Sequence, residues 1–410
     1  MEYSYEYLHD LENEFGSPLY IFQKDEFIAN YKQFVDSFRK RYSKYILAYS
    51  YKTNYAPYIC KIVKDLGGYA EVVSEMEYQV AKKIGYEDRH IIYNGPCKGR
   101  LAMDMLLNGG KLNVDNLEEL KKICEFAKKN QNKHIKIGIR VNINIGQSFV
   151  SRFGIDDLNG DLDHAFQMVH EISNLEIVGL HCHVGQSRTV QAWKNRVKKM
   201  LQLVNRYFEN TPEYIDLGSG MYGRMDEFLA NQFGKDLPSF EEYADAVTTL
   251  FSEYFANVPD KEKPYLFTEP GTTVINSYVD FVGRVTCIKE VKGKCFAILN
   301  CSKHNLGEIC TLKQLPVHIY SNSSMERNQY SDVDFVGYTC LEHDVMYKDF
   351  SGEINVGDYI IFENVGGYSN VSKPPFILQN CAMISVDRMD KRDIIKRAEM
   401  FEDVFNTYEF

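Results

Sequence analysis

Short apolar runs alternate with longer amphipathic stretches between residues 45 and 270. The runs are too short for helices and rich in β-branched and aromatic residues, so they predict strands. They are Tyr45–Tyr51, Tyr69–Val73, His90–Asn94, Leu112–Asp115, Ile135–Asn142, Ile177–His183, Tyr214–Leu217 and Tyr265–Thr268. Helical periodicity marks stretches between them, such as Met76–Ile84, Leu117–Lys129, Val190–Phe208 and Phe240–Phe255. This alternation predicts a parallel sheet, because a parallel return needs a crossover connection.

The number and spacing of these units predict a closed (β/α)8 barrel of the TIM type. A doubly wound open sheet is the alternative. The position of polar residues favours the barrel, since the carboxyl ends of barrel strands meet at one mouth, where active sites are built. The residues at or just beyond those ends are Lys52, Glu71, Asn94, Asp115, Arg140, His183, Gly218 and Glu269.

After Gly271 the pattern changes to short alternating runs separated by turn residues, which predicts a second, mostly antiparallel β domain. Its expected strands are Val274–Cys287, Lys294–Leu299, Asp358–Asn364 and Phe376–Ser385, followed by a final helix at Lys391–Phe405. Near the N-terminus a strand-like run, Pro18–Phe22, precedes a helical pattern at Glu26–Arg41, and we expect this run to join the second domain's sheet. The predicted domains are therefore a barrel over residues 25–274 and a β domain over 1–24 and 275–410.

Composition narrows the possible partners. The chain has 410 residues, of which 44% are hydrophobic, and a net charge of −10, which argues against nucleic-acid or anionic-membrane partners. There is no apolar run of about 18 residues that would span a membrane. The start of the chain is acidic and lacks signal-peptide features. The ten cysteines form no CxxC pair. We therefore expect a soluble cytoplasmic protein with reduced thiols.

Two strand ends carry candidate chemistry. Lys52, in AYSYKTNY, has aromatic neighbours that would desolvate its amine, and desolvation makes lysine a usable nucleophile. The alternative is a solvated lysine at a strand end. In GLHCHVGQS, alternation places His181 and His183 on one face. Buried core histidines are the alternative there, and no further ligand has the spacing of a metal motif, so no metal site is predicted.

Further candidates follow later strands. The turn Gly218-Ser219-Gly220 could cradle a phosphate with its backbone N–H groups, although tight turns need glycine for steric reasons too. Glu269, in EPG, could pair with a basic neighbour or hold a protonated ring nitrogen. Cys340, in GYTCLEHD, is a candidate for acid–base work, and the phenol of Tyr368 could reach a phosphate or cap a core.

In this order the motifs resemble those of the fold-type III pyridoxal-phosphate decarboxylases, the group of diaminopimelate and ornithine decarboxylases. Lys52 in SYKTN resembles the family's Schiff-base lysine, and His183 resembles the histidine that stacks on the cofactor ring. Glu269 resembles the acid that holds the pyridine nitrogen. The resemblance also assigns Gly218, Ser219 and Gly220 to the phosphate loop.

The resemblance extends to the predicted β domain. Cys340 resembles the cysteine that protonates the carbanion from the other subunit, and Tyr368 resembles a tyrosine near the phosphate. Ser151-Arg-Phe-Gly154 is similar to the family's SKFG segment. The resemblance thus implies pyridoxal 5'-phosphate as cofactor, an alanine racemase-like two-domain architecture, and a homodimer with shared active sites acting on a small amino-acid substrate.

Some positions depart from the family pattern. Thr272 stands where the EPGR motif has arginine, and Leu341 follows the cysteine where the family has a polar residue. A bidentate arginine is not replaced by threonine without loss of grip on a charged group. We therefore expect a decarboxylase whose substrate is a modified or conjugated amino acid, neither diaminopimelate nor ornithine. The candidate substrate contacts are Thr272, Glu342, His343 and Asp344.

Two other functions stay open from the sequence. One is an amino-acid racemase or epimerase with Lys52 and either Cys340 or Tyr368 as opposed acid and base. The other is a non-catalytic protein that holds pyridoxal phosphate. The β domain and Cys340 argue against the second, since small cofactor-holding barrels lack both.

Overall fold

The computed structural model describes residues 3–146, 149–234 and 237–410. They form two compact units. The barrel unit comprises the described residues of Tyr31–Tyr222 and Leu237–Thr273, and the β unit those of Met1–Asn30, Gly223–Asp236 and Val274–Phe410.

The strands are numbered in chain order. They are β1 (Leu19–Gln23), β2 (Tyr45–Ser50), β3 (Tyr69–Val72), β4 (Ile91–Tyr93), β5 (Lys111–Val114), β6 (Ile135–Asn142), β7 (Ile155–Asp156), β8 (Leu175–His181), β9 (Tyr214–Asp216), β10 (Tyr265–Thr268), β11 (Val279–Val291), β12 (Lys294–Leu299), β13 (Val317–Tyr320), β14 (Gln329–Val336), β15 (Val345–Glu353), β16 (Tyr359–Phe362), β17 (Ala382–Val386) and β18 (Arg392–Lys396).

The helices are numbered in the same way. They are α1 (Tyr5–Phe15), α2 (Lys24–Arg39), α3 (Pro57–Asp65), α4 (Glu75–Ile84), α5 (Leu101–Leu107), α6 (Leu117–Lys129), α7 (Asp161–His170), α8 (Val190–Tyr207), α9 (Glu227–Asn231), α10 (Phe240–Tyr254), α11 (Thr272–Ile275), α12 (Lys303–Leu306), α13 (Ile309–Leu312) and α14 (Phe401–Phe405). In residues 3–146, 149–234 and 237–410 no helix combines the length and apolarity that crossing a membrane requires.

The barrel unit is a closed parallel barrel. Strands β2, β3, β4, β5, β6, β8, β9 and β10 pair in that order, and β10 pairs with β2 to close the ring. This closure confirms the predicted barrel and excludes the open sheet. Inside it, Ala48, Ile92, Val178, Tyr214 and Phe267 form a buried cluster contributed by five of the strands. Burial of these side chains from different strands holds the ring together.

The β unit is built on one large sheet. Its strand order is β15-β14-β12-β11-β1-β17-β18, with β16 paired to both β11 and β13. As expected, the N-terminal run joins this sheet, where β1 lies antiparallel to β11 and parallel to β17. Apolar residues of α1, including Leu8 and Leu11, pack on the sheet and bury its core.

The sequence-based assignment fails at the C-terminus. The predicted helix at Lys391–Phe405 is wrong, because residues Arg392–Lys396 form strand β18 and helix α14 begins only at Phe401. A tight turn causes the difference, since Asp390 adopts a left-handed φ of 59° and folds β18 back onto β17. The expected strand at Phe376–Ser385 likewise begins only at Ala382.

Candidate active site

A cavity of about 580 Å³ opens at the carboxyl ends of the barrel strands. It brings together Lys52, His183 and Glu269, which are far apart in the sequence. Its other lining residues are Glu71, Val73, Asn94, Gly95, Pro96, Arg140, Phe149, Val150, Ser151, Arg152, Phe153, His181, Gly185 and Gln186. Most of the strand-end residues singled out in the sequence therefore face one pocket within the barrel unit.

Lys52 lies in a 3-10 turn, Tyr51–Thr53, directly after β2. Its Nζ donates hydrogen bonds to Ser50 Oγ at 2.7 Å and to Glu71 Oε2 at 2.8 Å. The residue after Glu269-Pro270 must be glycine here, because a Cβ at Gly271 would lie 1.9 Å from Thr53 Oγ1. Close packing of these two turns therefore brings the amine of Lys52 and the end of β10 to the same pocket.

Glu269 follows β10 and is 1% exposed. Its Oε1 accepts a hydrogen bond from Asn94 Nδ2 at 2.5 Å and lies 3.3 Å from His181 Nε2. Burial alone would raise the pKa of Glu269, but His181, His183 and Lys52 outweigh burial and hold this pKa well below its usual range. Glu269 is thus an ionised carboxylate deep in the pocket.

Asp216, at the end of β9, is the second buried carboxylate at this centre. Burial and repulsion by Glu269 raise the pKa of Asp216 well above its usual value. The pair therefore carries one negative charge, on Glu269, because two adjacent buried carboxylates do not both ionise. Asp216 Oδ1 also accepts the backbone N–H of Gly218 at 2.9 Å, which fixes the start of the next turn.

The two histidines of the HCH segment differ in their surroundings. Strand β8 ends at His181, so His183 lies two residues beyond the strand, not at its end as the apolar run predicted. Burial lowers the pKa of His183 to about 4 although Glu269 opposes this, so its imidazole is neutral at pH 7. Its Nδ1 accepts the Ser219 N–H at 3.2 Å. Both ring nitrogens of buried His181 lack a hydrogen-bond partner among the described residues.

The turn Gly218-Ser219-Gly220 needs glycine at both ends. Gly218 and Gly220 have φ of +63° and +102°, and a Cβ there would lie 2.4 Å from Cys182 O and 2.5 Å from Val184 O. The turn thus packs against the loop after β8 at distances that no side chain would allow. Such a close-packed backbone can present its N–H groups to an anion.

Asparagine side chains connect the acidic groups of the pocket. Asn94 Nδ2 donates to Glu71 Oε1 at 3.0 Å as well as to Glu269, and its Oδ1 accepts from Asn113 Nδ2 at 2.9 Å. Asn113 Oδ1 in turn accepts from Tyr214 OH at 2.7 Å. Sequence reasoning named Asn94 as a strand-end residue but missed Asn113, which alternates inward within β5. The network fixes the orientation of both amides.

Predicted residues of the β unit have their own local structure. Cys340, Glu342 and His343 are exposed in the loop between β14 and β15. Tyr368 is half-buried with a left-handed φ of 56°. Thr272, of the barrel unit, begins α11.

Asp344, predicted as a substrate contact, has a different surrounding from its neighbours in sequence. It is buried, and its oxygens accept from Ser302 Oγ at 3.0 Å, Lys303 N at 2.8 Å and Thr339 Oγ1 at 2.6 Å. The carboxylate of Asp344 therefore stabilises the Cys340 loop from within.

Comparison with known proteins gives one consistent family. Residues 25–276 match the model described as "Pyridoxal-dependent decarboxylase, pyridoxal binding domain". Diaminopimelate decarboxylase of Methanocaldococcus jannaschii is 26% identical over 378 residues, covering 88% of this chain and 83% of that protein. The "L-glutamyl-[BtrI acyl-carrier protein] decarboxylase" of Niallia circulans is 24% identical over 428 residues, covering 97% of this chain and 95% of that protein.

A solved structure supports the fold. The crystal structure of diaminopimelate decarboxylase from M. jannaschii matches with a TM-score of 0.85 at 24% identity, covering 98% of this chain and 94% of that chain.

Proposed function

Because the chain belongs to the pyridoxal-dependent decarboxylases, we propose that its substrate is a conjugated or otherwise modified amino acid rather than diaminopimelate or ornithine. The family establishes the enzyme class: the protein is a carboxy-lyase that uses pyridoxal 5'-phosphate. The sequence expectation of family, cofactor and reaction class is thereby confirmed. The substrate and the roles of individual residues are the proposal.

The pocket residues fit this cofactor. The glycine turn that excludes side chains, the amine of Lys52 and the buried carboxylate of Glu269 supply the groups that a phosphorylated pyridine aldehyde requires. When bound, pyridoxal phosphate supplies an electron sink for cleavage of bonds at the substrate's α-carbon.

Each residue then has a distinct task. Lys52 is the amine that would hold the cofactor's aldehyde. Glu269, ionised and buried, holds a proton on the ring nitrogen. His183 is neutral at pH 7 and offers an uncharged flat surface to the ring. The backbone of Gly218, Ser219 and Gly220 would bind the phosphate. Tyr368 is proposed as a further phosphate contact from the family resemblance alone.

The buried carboxylate of Glu269, which follows β10 and lines the same pocket as Lys52, is the observation that carries the reaction type. A carboxylate at the ring nitrogen keeps that nitrogen protonated and strengthens the electron sink, which suits loss of carbon dioxide. In racemases of this barrel class, an arginine stands at the ring nitrogen in place of the carboxylate. In this chain the residue that follows β10 and lines the pocket is a carboxylate, Glu269. The racemase alternative therefore loses its support.

Two departures carry the substrate proposal. Thr272 supplies no charge where the family has an arginine, and Leu341 supplies no polar contact after the cysteine. In such a site, a substrate with two free charged ends would have charged groups without matching partners. The relative from N. circulans, by its name, acts on a glutamyl group carried by a protein. A conjugated substrate with one end masked matches both facts.

The proposed role of the β unit rests on the family resemblance. We propose a homodimer in which Cys340 of one subunit serves the Lys52 site of the other and protonates the α-carbon after carbon dioxide leaves. Glu342 and His343, exposed on the same loop as Cys340, are the proposed substrate contacts. A cytoplasmic location is proposed from the thiols, since all ten cysteines are free.

Mass spectrometry tests the substrate proposal directly. The cofactor-loaded protein is incubated in heavy water with diamino acids, D-isomers, N-acylated amino acids and aminoacyl conjugates. We expect a conjugated substrate to give a product lighter by carbon dioxide and carrying one deuterium, and Lys52→Ala to give none. Efficient turnover of diaminopimelate would contradict the substrate proposal. Deuterium at the α-carbon without loss of carbon dioxide would contradict the reaction type.

A further inference from the structure

Helix α8 carries a buried arginine that none of the tasks above uses. Arg196 is fully buried, on the same face of the helix as Trp193, Val197 and Met200. Its guanidinium lies 4.0 Å from the centroid of the Trp193 ring. A charge so far from water is costly unless it is compensated by hydrogen bonds and a counter-charge. The buried charge of Arg196 therefore depends on the groups that surround its guanidinium.

The guanidinium donates only to backbone carbonyls around the glycine turn. Nη1 donates to Leu217 O at 2.8 Å and to Ser219 O at 2.7 Å, and Nη2 donates to Val184 O at 2.7 Å. One turn earlier on the helix, Trp193 Nε1 donates to Gly220 O at 3.0 Å. Two side chains of α8 thus hold four carbonyls of the two loops that follow β8 and β9.

These contacts also set the direction of the N–H groups in the same peptide units. In a planar trans peptide the N–H points away from the C=O of the same unit. The N–H groups of Gly185, Gly220 and Met221 belong to the peptides whose carbonyls Arg196 and Trp193 hold, so they point away from the helix. The fourth peptide differs, since the N–H of Gly218 donates to Asp216. Three donors are therefore aimed together by α8.

Arg196 forms no direct ion pair among the described residues, although the Glu269 carboxylate acts on its charge from a longer distance. In residues 3–146, 149–234 and 237–410, no carboxylate lies within ion-pair distance of Arg196. Burial lowers the pKa of Arg196 to about 10, so the group stays protonated at neutral pH. An anion on the far side of the turn would add a second negative charge near Arg196 and accept the three N–H groups.

We propose that Arg196 is a positioning residue for the cofactor's phosphate, acting from beneath the Gly218–Gly220 turn through the carbonyls that it holds. The inference rests on the proposed cofactor role of Gly218–Gly220. Arg196 acts through the backbone: it aims the N–H donors and balances the phosphate charge without touching the phosphate.

The test compares two ligands that differ only in the phosphate. Dissociation constants of pyridoxal phosphate and of pyridoxal are measured by absorbance and equilibrium dialysis for the wild type, Arg196→Met and Arg196→Lys, without substrate. We expect Arg196→Met to weaken pyridoxal phosphate about 10- to 100-fold, the loss typical of hydrogen bonds from a charged donor. Pyridoxal should change by less than about threefold, because it lacks the group concerned. Arg196→Lys, which keeps the charge, should lose less.

Two further variants complete the experiment. Arg206→Met removes an exposed arginine from the end of the same helix and serves as the matched control, expected to leave both constants unchanged. Trp193→Phe keeps an aromatic ring at this position but removes the N–H that holds Gly220 O, and we expect a small loss confined to pyridoxal phosphate. Trp193→Phe and Arg196→Lys decide the outcome if Arg196→Met does not fold.

Two results would overturn the inference. Equal weakening of pyridoxal and pyridoxal phosphate would show that Arg196 only supports the fold, and unchanged binding of both would show that the charge is not needed. Failure of the wild type to bind pyridoxal phosphate would instead refute the proposed cofactor site. The two failures are therefore distinguishable.

Discussion

Replacing Glu269 by glutamine is the sharpest test of the proposed chemistry. The amide has nearly the shape of the carboxylate but no charge, so it cannot hold a proton on a ring nitrogen. The carboxylate is 1% exposed and lies among His181, His183 and Asn94. The substitution therefore removes one charge and little volume.

The expected magnitude follows from the burial of Glu269. Breaking a buried ion pair costs about 3–5 kcal/mol. If that interaction is felt fully in the transition state, the loss corresponds to a rate about 10²- to 10⁴-fold lower, since about 1.4 kcal/mol changes a rate tenfold. Cofactor affinity should change by less than about tenfold, because Lys52 and the glycine turn are untouched.

Asp216 limits how complete this loss can be. Its pKa is raised by burial and then by the charge of Glu269. Without that charge the pKa of Asp216 falls, and Asp216 can ionise and partly replace Glu269 as pH rises. Residual activity of Glu269→Gln should therefore increase with pH, and Asp216→Asn/Glu269→Gln should abolish that increase.

The assay is carbon dioxide release under saturating substrate, with kcat and KM determined separately from pH 6 to 9. Glu77→Gln is the matched control, because Glu77 is also a buried carboxylate, whose oxygen accepts the Val73 N–H at 2.8 Å. We expect Glu77→Gln to retain kcat within about threefold. A kcat of Glu269→Gln within threefold of the wild type would refute the proposed role of Glu269.

The other predictions concern the dimer and the β unit. Lys52→Ala and Cys340→Ala are each expected to be inactive, and an equal mixture after subunit exchange should recover about a quarter of wild-type activity, since half of the dimers contain one intact composite site; no recovery after confirmed exchange would exclude shared sites. Burial, reinforced by Glu363, raises the pKa of Asp280 to about 7, so the folded state keeps a proton that the unfolded state loses near pH 4, and stability falls as pH rises from about 4 to 7. Asp280→Asn should remove this dependence, so it should raise the melting temperature at pH 8 more than at pH 4. The corresponding gain in the free energy of unfolding at pH 8 is at most about 4 kcal/mol. An equal change at both pH values would contradict the reasoning.

Barrel strands were predictable because parallel strands buried on both faces are continuous apolar runs. Ile135–Asn142 and Tyr265–Thr268 match the structure at both ends. The C-terminal segment was not predictable in this way, since a turn at Asp390 decides between a helix and a strand, and one left-handed residue leaves little trace in periodicity.

The pocket was predictable only in part. Residues that follow strands, such as Lys52 and Glu269, are marked by the point where an apolar run stops. Arg196 was missed because its contacts are with backbone atoms of distant loops, which no motif encodes. One signal was present: a charged residue on the apolar face of a strongly amphipathic helix. The surroundings of Asp344 were equally hidden, because its partners Ser302 and Thr339 come from separate segments.

Closure of the barrel has a consequence for how the protein is made. Lys52 and Glu269 become neighbours only when β10 pairs with β2, so the pocket is incomplete until the last barrel strand has left the ribosome. Strand β1 can pair only later still, because its partners β11 and β17 follow the whole barrel sequence. Such non-local pairings fold slowly and leave strand edges exposed meanwhile. A chain that ends before β10 would therefore lack both Glu269 and the strand that closes the barrel on β2.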